Sequence, residues 1–246
     1  MISLLQAEAA PRDSSGVLET EITRWSSPAG NARAGGDWCD ALHVSADVLA
    51  LTVGDVSGHG EAASGTMHYL RSAIVKAIRE GRNPSEALCI ANDLAYARSG
   101  GVIVTAIVGV LDRRKRTFSY ANAGHPPPIL LFEREHRFLK QARADLPLGI
   151  FRHHHCADHI ERLADDALLV LYTDGITEHA RDLLLGELEL AESSRLAYDE
   201  PKSETARNIA ERVLRELRGD DDAAVLTVRT RIDDSHDSRP DASVLR

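Results

Sequence analysis

No stretch of this 246-residue chain approaches the roughly 20 consecutive apolar residues that cross a bilayer as a helix. A signal peptide is missing too, because MISLLQAEAAPRDSSG has no basic start and too short an apolar run. Cysteine is sparse. Cys39, Cys89 and Cys156 are odd in number and form no CxxC pair, which argues against a disulfide framework and fits a reducing compartment. Positive charge is also in deficit: 29 Lys and Arg face 38 Asp and Glu, leaving a formal net charge of −9. That balance argues against a duplex-binding surface and offers bound cations a favourable field. A soluble cytoplasmic protein with no nucleic-acid or membrane partner is expected.

Two phosphate-binding signatures are absent as well. GDVSGHG, residues 54–60, has no lysine where GxxxxGK[ST] puts one; the nearest, Lys76, lies well inside the following helical pattern. The dinucleotide fingerprint GxGxxG does not occur.

What is present has an ordinary globular balance, with 43% hydrophobic and 27% charged residues. LETEITRW alternates as a strand, and residues 38–54 read as two more, the second being DVLALTV. Met67, Leu70, Ile74, Val75 and Ile78 then recur at helical spacing up to a terminating Gly81. A second helix starts at Asn83-Pro84-Ser85, with Leu88, Ile90, Ala91, Leu94 and Ala95 as its inner face. GGVIVTAIVGVLD, RTFSYANAG, PPPILLF and ALLVLYTDG read as strands, with DRRK as a hairpin turn. SETARNIAERVLRELR is an amphipathic helix with Ser203 as its N-cap, and DDAAVLTVRT is a closing strand. This order lacks the regular βαβα alternation of a doubly wound sheet, so an α+β architecture of packed antiparallel sheets covered by helices is expected. The expected divisions are a flexible lead over 1–15, one domain over 16–231 and a disordered tail over 232–246.

Acids recur where apolar strands end. Asp37 sits in AGGDWCD, Asp55 in TVGDVSGHG, Asp174 in LYTDGITE, and Asp221 and Asp222 in RGDDDAAV, each in a motif that carries glycine. An Asp-Gly pair alone is a common turn former. Several carboxylates gathered without lysine or arginine would repel one another, and burying each costs several kcal/mol. A divalent cation removes that conflict, and short carboxylates are hard oxygen ligands suited to Mg²⁺ or Mn²⁺.

In order, GGDWCD, GDVSGHG, YANAGHPPP, LPLGIF, LYTDGITE and GDDDAAVLTVR resemble the SpoIIE-type branch of the metal-dependent PPM (protein phosphatase 2C) serine/threonine phosphatases over roughly residues 16–231. The resemblance implies a four-layer αββα sandwich holding two ions, Mn²⁺ or Mg²⁺, at one end of the paired sheets. It implies that Asp55 bridges both ions and that the Val56 carbonyl joins it on one. Asp37 would serve the second ion, and Asp174 with Asp221 would complete the first, Asp222 remaining an alternative to Asp221. A water held between the ions would attack phosphorus in line. His59 is a candidate acid for the leaving oxygen, set against the plainer reading of an exposed loop imidazole. His125, Asn122 and Gly124 read as scaffold.

The implied substrate is a small phosphorylated regulator, such as a STAS-type anti-sigma-factor antagonist in bacterial partner switching. Control would come from a partner in trans or from self-association, with the helix after the Asp55 loop as the moving element. Rival readings are a phosphatase-like docking module without turnover and a hydrolase of nucleotides or small phosphates. Three departures stand out. Cys39 replaces an aromatic whose packing Trp38 is expected to supply. Ala224 replaces a threonine whose hydroxyl would orient Asp221. HARDLLLGELELAES lacks the family pattern. His153, His155, Cys156 and His159 invite a second metal reading, but neighbours on an extended segment point to opposite sides.

Overall fold

A computed structural model of the chain describes residues 17–27, 35–58, 60–98, 102–139, 145–178, 182–200, 204–214 and 221–232. The elements in chain order are β1 (Leu18–Ser27), β2 (Trp38–His43), β3 (Val48–Val56), α1 (Gly60–Arg79), α2 (Pro84–Ala97), β4 (Val104–Asp112) and β5 (Thr117–Ala123). There follow β6 (Ile129–Phe132), β7 (Glu135–Phe138), β8 (His159–Arg162), β9 (Leu168–Tyr172), α3 (Leu183–Tyr198), α4 (Thr205–Leu214) and β10 (Ala223–Ile232). The strands make two antiparallel sheets, ordered β1-β10-β9-β6-β7 and β2-β3-β4-β5-β8.

Three apolar layers hold these sheets and helices together. Between the sheets, Leu49, Leu51 and Val53 of β3 and Ile107 and Leu111 of β4 meet Leu169 and Leu171 of β9 and Leu226 and Val228 of β10. Behind one sheet, Met67, Leu70 and Ile74 of α1 and Leu88 and Ala91 of α2 pack on Val104, Ala106 and Val108. Behind the other, Leu190 of α3 and Ile209 and Val213 of α4 pack on Ile129, Val170 and Val225. Central strands therefore bury both faces, which is why their sequences run apolar instead of alternating. The result is the expected αββα sandwich.

Local signals explain the helix ends. Asn83 and Glu86 form a reciprocal capping box at α2, and Gly81 takes φ of +83° beyond α1. Ile90, assigned to the inner face of α2, is 37% exposed and lies off it. α3 is an element the sequence pattern did not suggest. Asp182 caps it by accepting from the N–H groups of Leu184 and Leu185, yet Leu184, Leu185, Leu188 and Leu196 are all exposed. Ile232 closes β10, one residue past position 231. The lead over 1–15, Ser203, residues 215–218 and the tail from 233 lie outside the described residues.

Trp38 and Cys39 point to opposite faces of β2. Trp38 joins the helix-side layer, with its ring against Gly54, where a Cβ would lie 2.1 Å from it. Cys39 packs between the sheets. Trp38 therefore does not replace packing at position 39, contrary to the sequence-based expectation.

Candidate metal centre

Chain topology brings the recurrent acids to one end of the sandwich. Asp37 directly precedes β2 and Asp55 lies near the end of β3, both in one sheet. Asp174 follows β9, and Asp221 and Asp222 precede β10, in the other sheet. Each sheet thus delivers carboxylates to a shared seam.

Close backbone approaches lock that seam. The Gly36 N–H donates to Asp222 Oδ2 at 2.7 Å. A Cβ on Gly36 would lie 2.5 Å from the Val56 carbonyl oxygen and 3.3 Å from Asp55 Oδ1, so only glycine lets the segment before β2 pass so near. A Cβ on Gly35 would meet Asp222 Oδ2 at 2.2 Å, and one on Gly175 would meet the Asp222 carbonyl oxygen at 1.9 Å. The glycines flanking these acids admit neighbouring backbone and carboxylates.

The electrostatics follow from crowding. Burial first, then the neighbouring Asp55 and Asp222, push Asp37 up to about 9, although a hydrogen bond from Thr173 opposes the shift. Asp55 rises to about 6 through burial and the charges of Asp174, Asp221 and Asp222, while its hydrogen bond with Asp37 opposes the shift. Asp174 is raised by burial, Glu178 and Asp221. Among the described residues, no arginine or lysine is one of the main groups acting on these three acids. Asp40, three residues past Asp37, shows the alternative: buried within β2, it is held by Arg71 from α1 and by Arg24 at 3.5 Å.

Asp37 Oδ2 is buried with no hydrogen-bond partner. That orphan oxygen, the all-oxygen donor set and the uncompensated charge fit hard divalent cations. The cluster is nonetheless open: among the described residues no three His, Cys, Asp or Glu side chains are arranged as they would be around an ion. Asp221 is exposed, and its Oδ1 accepts from the Asp222 N–H at 2.8 Å. His59 lies outside the described residues.

Two residues support the acids from behind: Thr173, which the sequence did not single out, and His125, read there as scaffold. Thr173 takes the Ala224 N–H on its hydroxyl at 2.8 Å and turns its own proton toward Asp37, linking the sheets behind the acids. Ala224 contributes to this through its backbone, without a hydroxyl. His125 is buried, with Nε2 3.0 Å from the Tyr172 carbonyl and Nδ1 2.9 Å from the Thr105 hydroxyl. A carbonyl only accepts, so Nε2 carries the proton and Nδ1 accepts. Burial depresses this imidazole to about 4. His125 thereby ties β4, opposite Asp55, to the strand end that bears Asp174. Asn122 holds its turn by exchanging hydrogen bonds with the His125 backbone at 2.7 and 2.8 Å.

The histidine-rich segment is not drawn together. His153 and His155 face solvent, whereas Cys156 is buried, with its thiol 3.3 Å from His154 Nδ1.

The family model for Stage II sporulation protein E (SpoIIE) matches residues 45–231. The chain belongs to the SpoIIE family. Phosphoserine phosphatase RsbU of Bacillus subtilis (strain 168) is 24% identical over 190 residues, covering 75% of this chain. The chain spans only 56% of that relative's length. The RsbU and RsbW domains of Rv1364c from Mycobacterium tuberculosis share 32% identity at a TM-score of 0.80, over 89% of this chain and 62% of that one. The PP2C phosphatase domain of SpoIIE from Bacillus subtilis superposes at 0.76 with 20% identity, over 87% of this SpoIIE-family chain and 64% of that one. The catalytic domain of the phosphatase PstP, in complex with 2 manganese ions, superposes at 0.66 with 16% identity, over 87% and 99%. These neighbours share the PP2C-like fold. No helix among the described residues is long and apolar enough to cross a membrane.

Proposed function

We propose that this SpoIIE-family chain is a divalent-metal-dependent protein serine/threonine phosphatase. Its substrate is phosphoserine or phosphothreonine on a small regulatory protein of the STAS type, within a partner-switching pathway. The carrying observation is the seam of carboxylates from both sheets, with no lysine or arginine of the described residues among the main groups acting on Asp37, Asp55 and Asp174. Family membership and the phosphoserine-phosphatase name of the RsbU relative support the same reading.

In this reading Asp55 would serve both ions, Mn²⁺ or Mg²⁺, and the Val56 carbonyl one of them; the two groups lie together beside Gly36. Asp37 would serve one ion, and Asp174 with Asp221 the other. Asp222, occupied by the Gly36 N–H, fixes the spacing between the sheets. When bound, such ions supply Lewis-acid activation of water and neutralise phosphoryl oxygens. The chain's own part is to hold five carboxylates in register, through Thr173 and His125, so that little reorganisation remains when substrate arrives.

A docking module of the same fold draws support from the open arrangement of the acids. Hydrolysis of p-nitrophenyl phosphate with Mn²⁺, alongside phosphate release from phosphorylated STAS proteins, separates the readings. Activity that disappears in Asp55→Asn and Asp174→Asn supports the phosphatase. Silence with every divalent metal favours the module, and equal turnover of free phosphoesters and phosphoproteins favours a small-phosphate hydrolase.

A further inference from the structure

The packing of α3 leaves apolar side chains unaccounted for. Its inner face, with Leu190, Ala191, Ala197 and Tyr198, is buried against the sheet and α4. On its outer side Leu184, Leu185, Leu188 and Leu196 are 69%, 46%, 64% and 42% exposed. At 3.6 residues per turn, Leu185, Leu188, Glu189, Glu192 and Leu196 fall within about 100° of the helix circumference, and Leu184 borders Leu188. Single exposed leucines are ordinary on a protein surface. Four on three turns of one helix make a contiguous strip, which is the mark of a contact site.

The strip runs along a groove. Leu188, Glu189, Glu192, Ser193 and Leu196 of α3 and Arg212 of α4 line an open space of about 420 Å³. The charge of Arg212 is already matched, because Glu200 pairs with it and also accepts from Asn208 at 3.1 Å. Glu192 accepts from Arg195 at 2.7 and 2.9 Å, an exposed pair whose exchange for another cation costs little. From Asp182 to Glu200 the chain carries six acids and, as its only base, Arg195. The leucine strip is therefore set in an acidic surround.

We propose that this strip and groove seat an amphipathic helix of a partner protein, apolar on one face and flanked by lysine or arginine. Leu185 to Leu196 extends about 16 Å along the axis, which matches three turns of a docked helix with anchors at i, i+3 or i+4, and i+7. Basic residues beside those anchors would meet Glu189 and Glu192. Charge decides among the occupants. A second copy would set the acidic strip against itself, and an anionic lipid surface would be repelled by it. The inference stands apart from the phosphatase reading, since it uses no carboxylate of the seam.

The test titrates the protein with a synthetic three-turn helical peptide bearing leucines at i, i+3, i+4 and i+7 and lysines beside them, with sedimentation velocity run in parallel. The expected result is saturable binding that weakens about tenfold in Leu188→Gln and in Leu196→Gln, both changes at exposed positions. A peptide with glutamate in place of each lysine should bind at least about tenfold more weakly to wild type. Ile160→Gln, which alters an exposed apolar side chain on β8, should leave Kd within about twofold. Absence of binding by the lysine peptide overturns the proposal, as does equal binding by wild type and Leu188→Gln. Equal binding of the lysine and glutamate peptides overturns the basic partner. A dimer of wild type that Leu188→Gln dissolves would make the strip a contact between copies and overturn it too.

Discussion

A carboxyl taken from water and set among other carboxyls keeps its proton, and Asp37 carries the consequence for stability. Its folded value near 9 lies above the ordinary 3.8, so the folded chain holds a proton that the unfolded chain releases. That contribution is complete below the ordinary value and drains away as pH climbs toward the folded one. Protein treated with chelator should lose about 1–2 kcal/mol between pH 7 and 9, read as a fall of roughly 2–6 °C in Tm. Asp37→Asn should flatten the slope while abolishing turnover; an unchanged slope would show that Asp37 is not the group responsible. The acids themselves were legible because aspartate beside glycine at the end of an apolar run is costly without a counter-charge. Thr173 was not. A single hydroxyl next to an acid is unremarkable until the fold shows that Ala224 and Asp37 both reach it.

Elements differ in how openly their sequence declares them. α1 carries its apolar residues on one stripe, and α2 begins with a capping box, so both were readable. α3 spreads leucines around its circumference and leaves several in solvent, which erases the period that would announce it. The turn after β5 lies between these cases. GHPPP was readable as rigid, whereas the reach of His125 to Tyr172 across the sheets needed coordinates. His125→Gln should destabilise the protein by about 2–4 kcal/mol at neutral pH, through lost hydrogen bonds in a buried site. The folded ring resists protonation down to about 4, while the unfolded one takes a proton near 6.5. Wild type therefore loses stability as pH drops through that interval, and the gap to the variant should close by about 2–3 kcal/mol. Paired urea titrations at pH 7 and 4.5 measure it, and a constant gap would contradict the burial.

For the molecule as a whole, the acids belong to two sheets that otherwise meet through an apolar layer and a few hydrogen bonds, such as those of His125 and Gly36. An ion held among them should act as a rivet. At about a hundredfold excess over Kd, Mn²⁺ should add ~2.7 kcal/mol of stability, or roughly 5–10 °C in Tm. The shift should vanish in Asp174→Asn. Hydrogen exchange should slow in β3 and β10 together, and protection confined to one sheet would count against a shared centre. The sandwich itself was predictable from strand and helix order, since apolar runs flanking amphipathic helices leave few ways to bury both. Which acids would face one another came only from the family resemblance, because strands distant in sequence supply them.

Gly36 reaching Asp222 across 186 positions of chain has an evolutionary and practical corollary. Neither half of the polypeptide inherits a working remnant of the centre. A truncated product ending before β9 would retain Asp37 and Asp55 facing an empty gap, so reactivity should arrive all at once, with the last strand to dock.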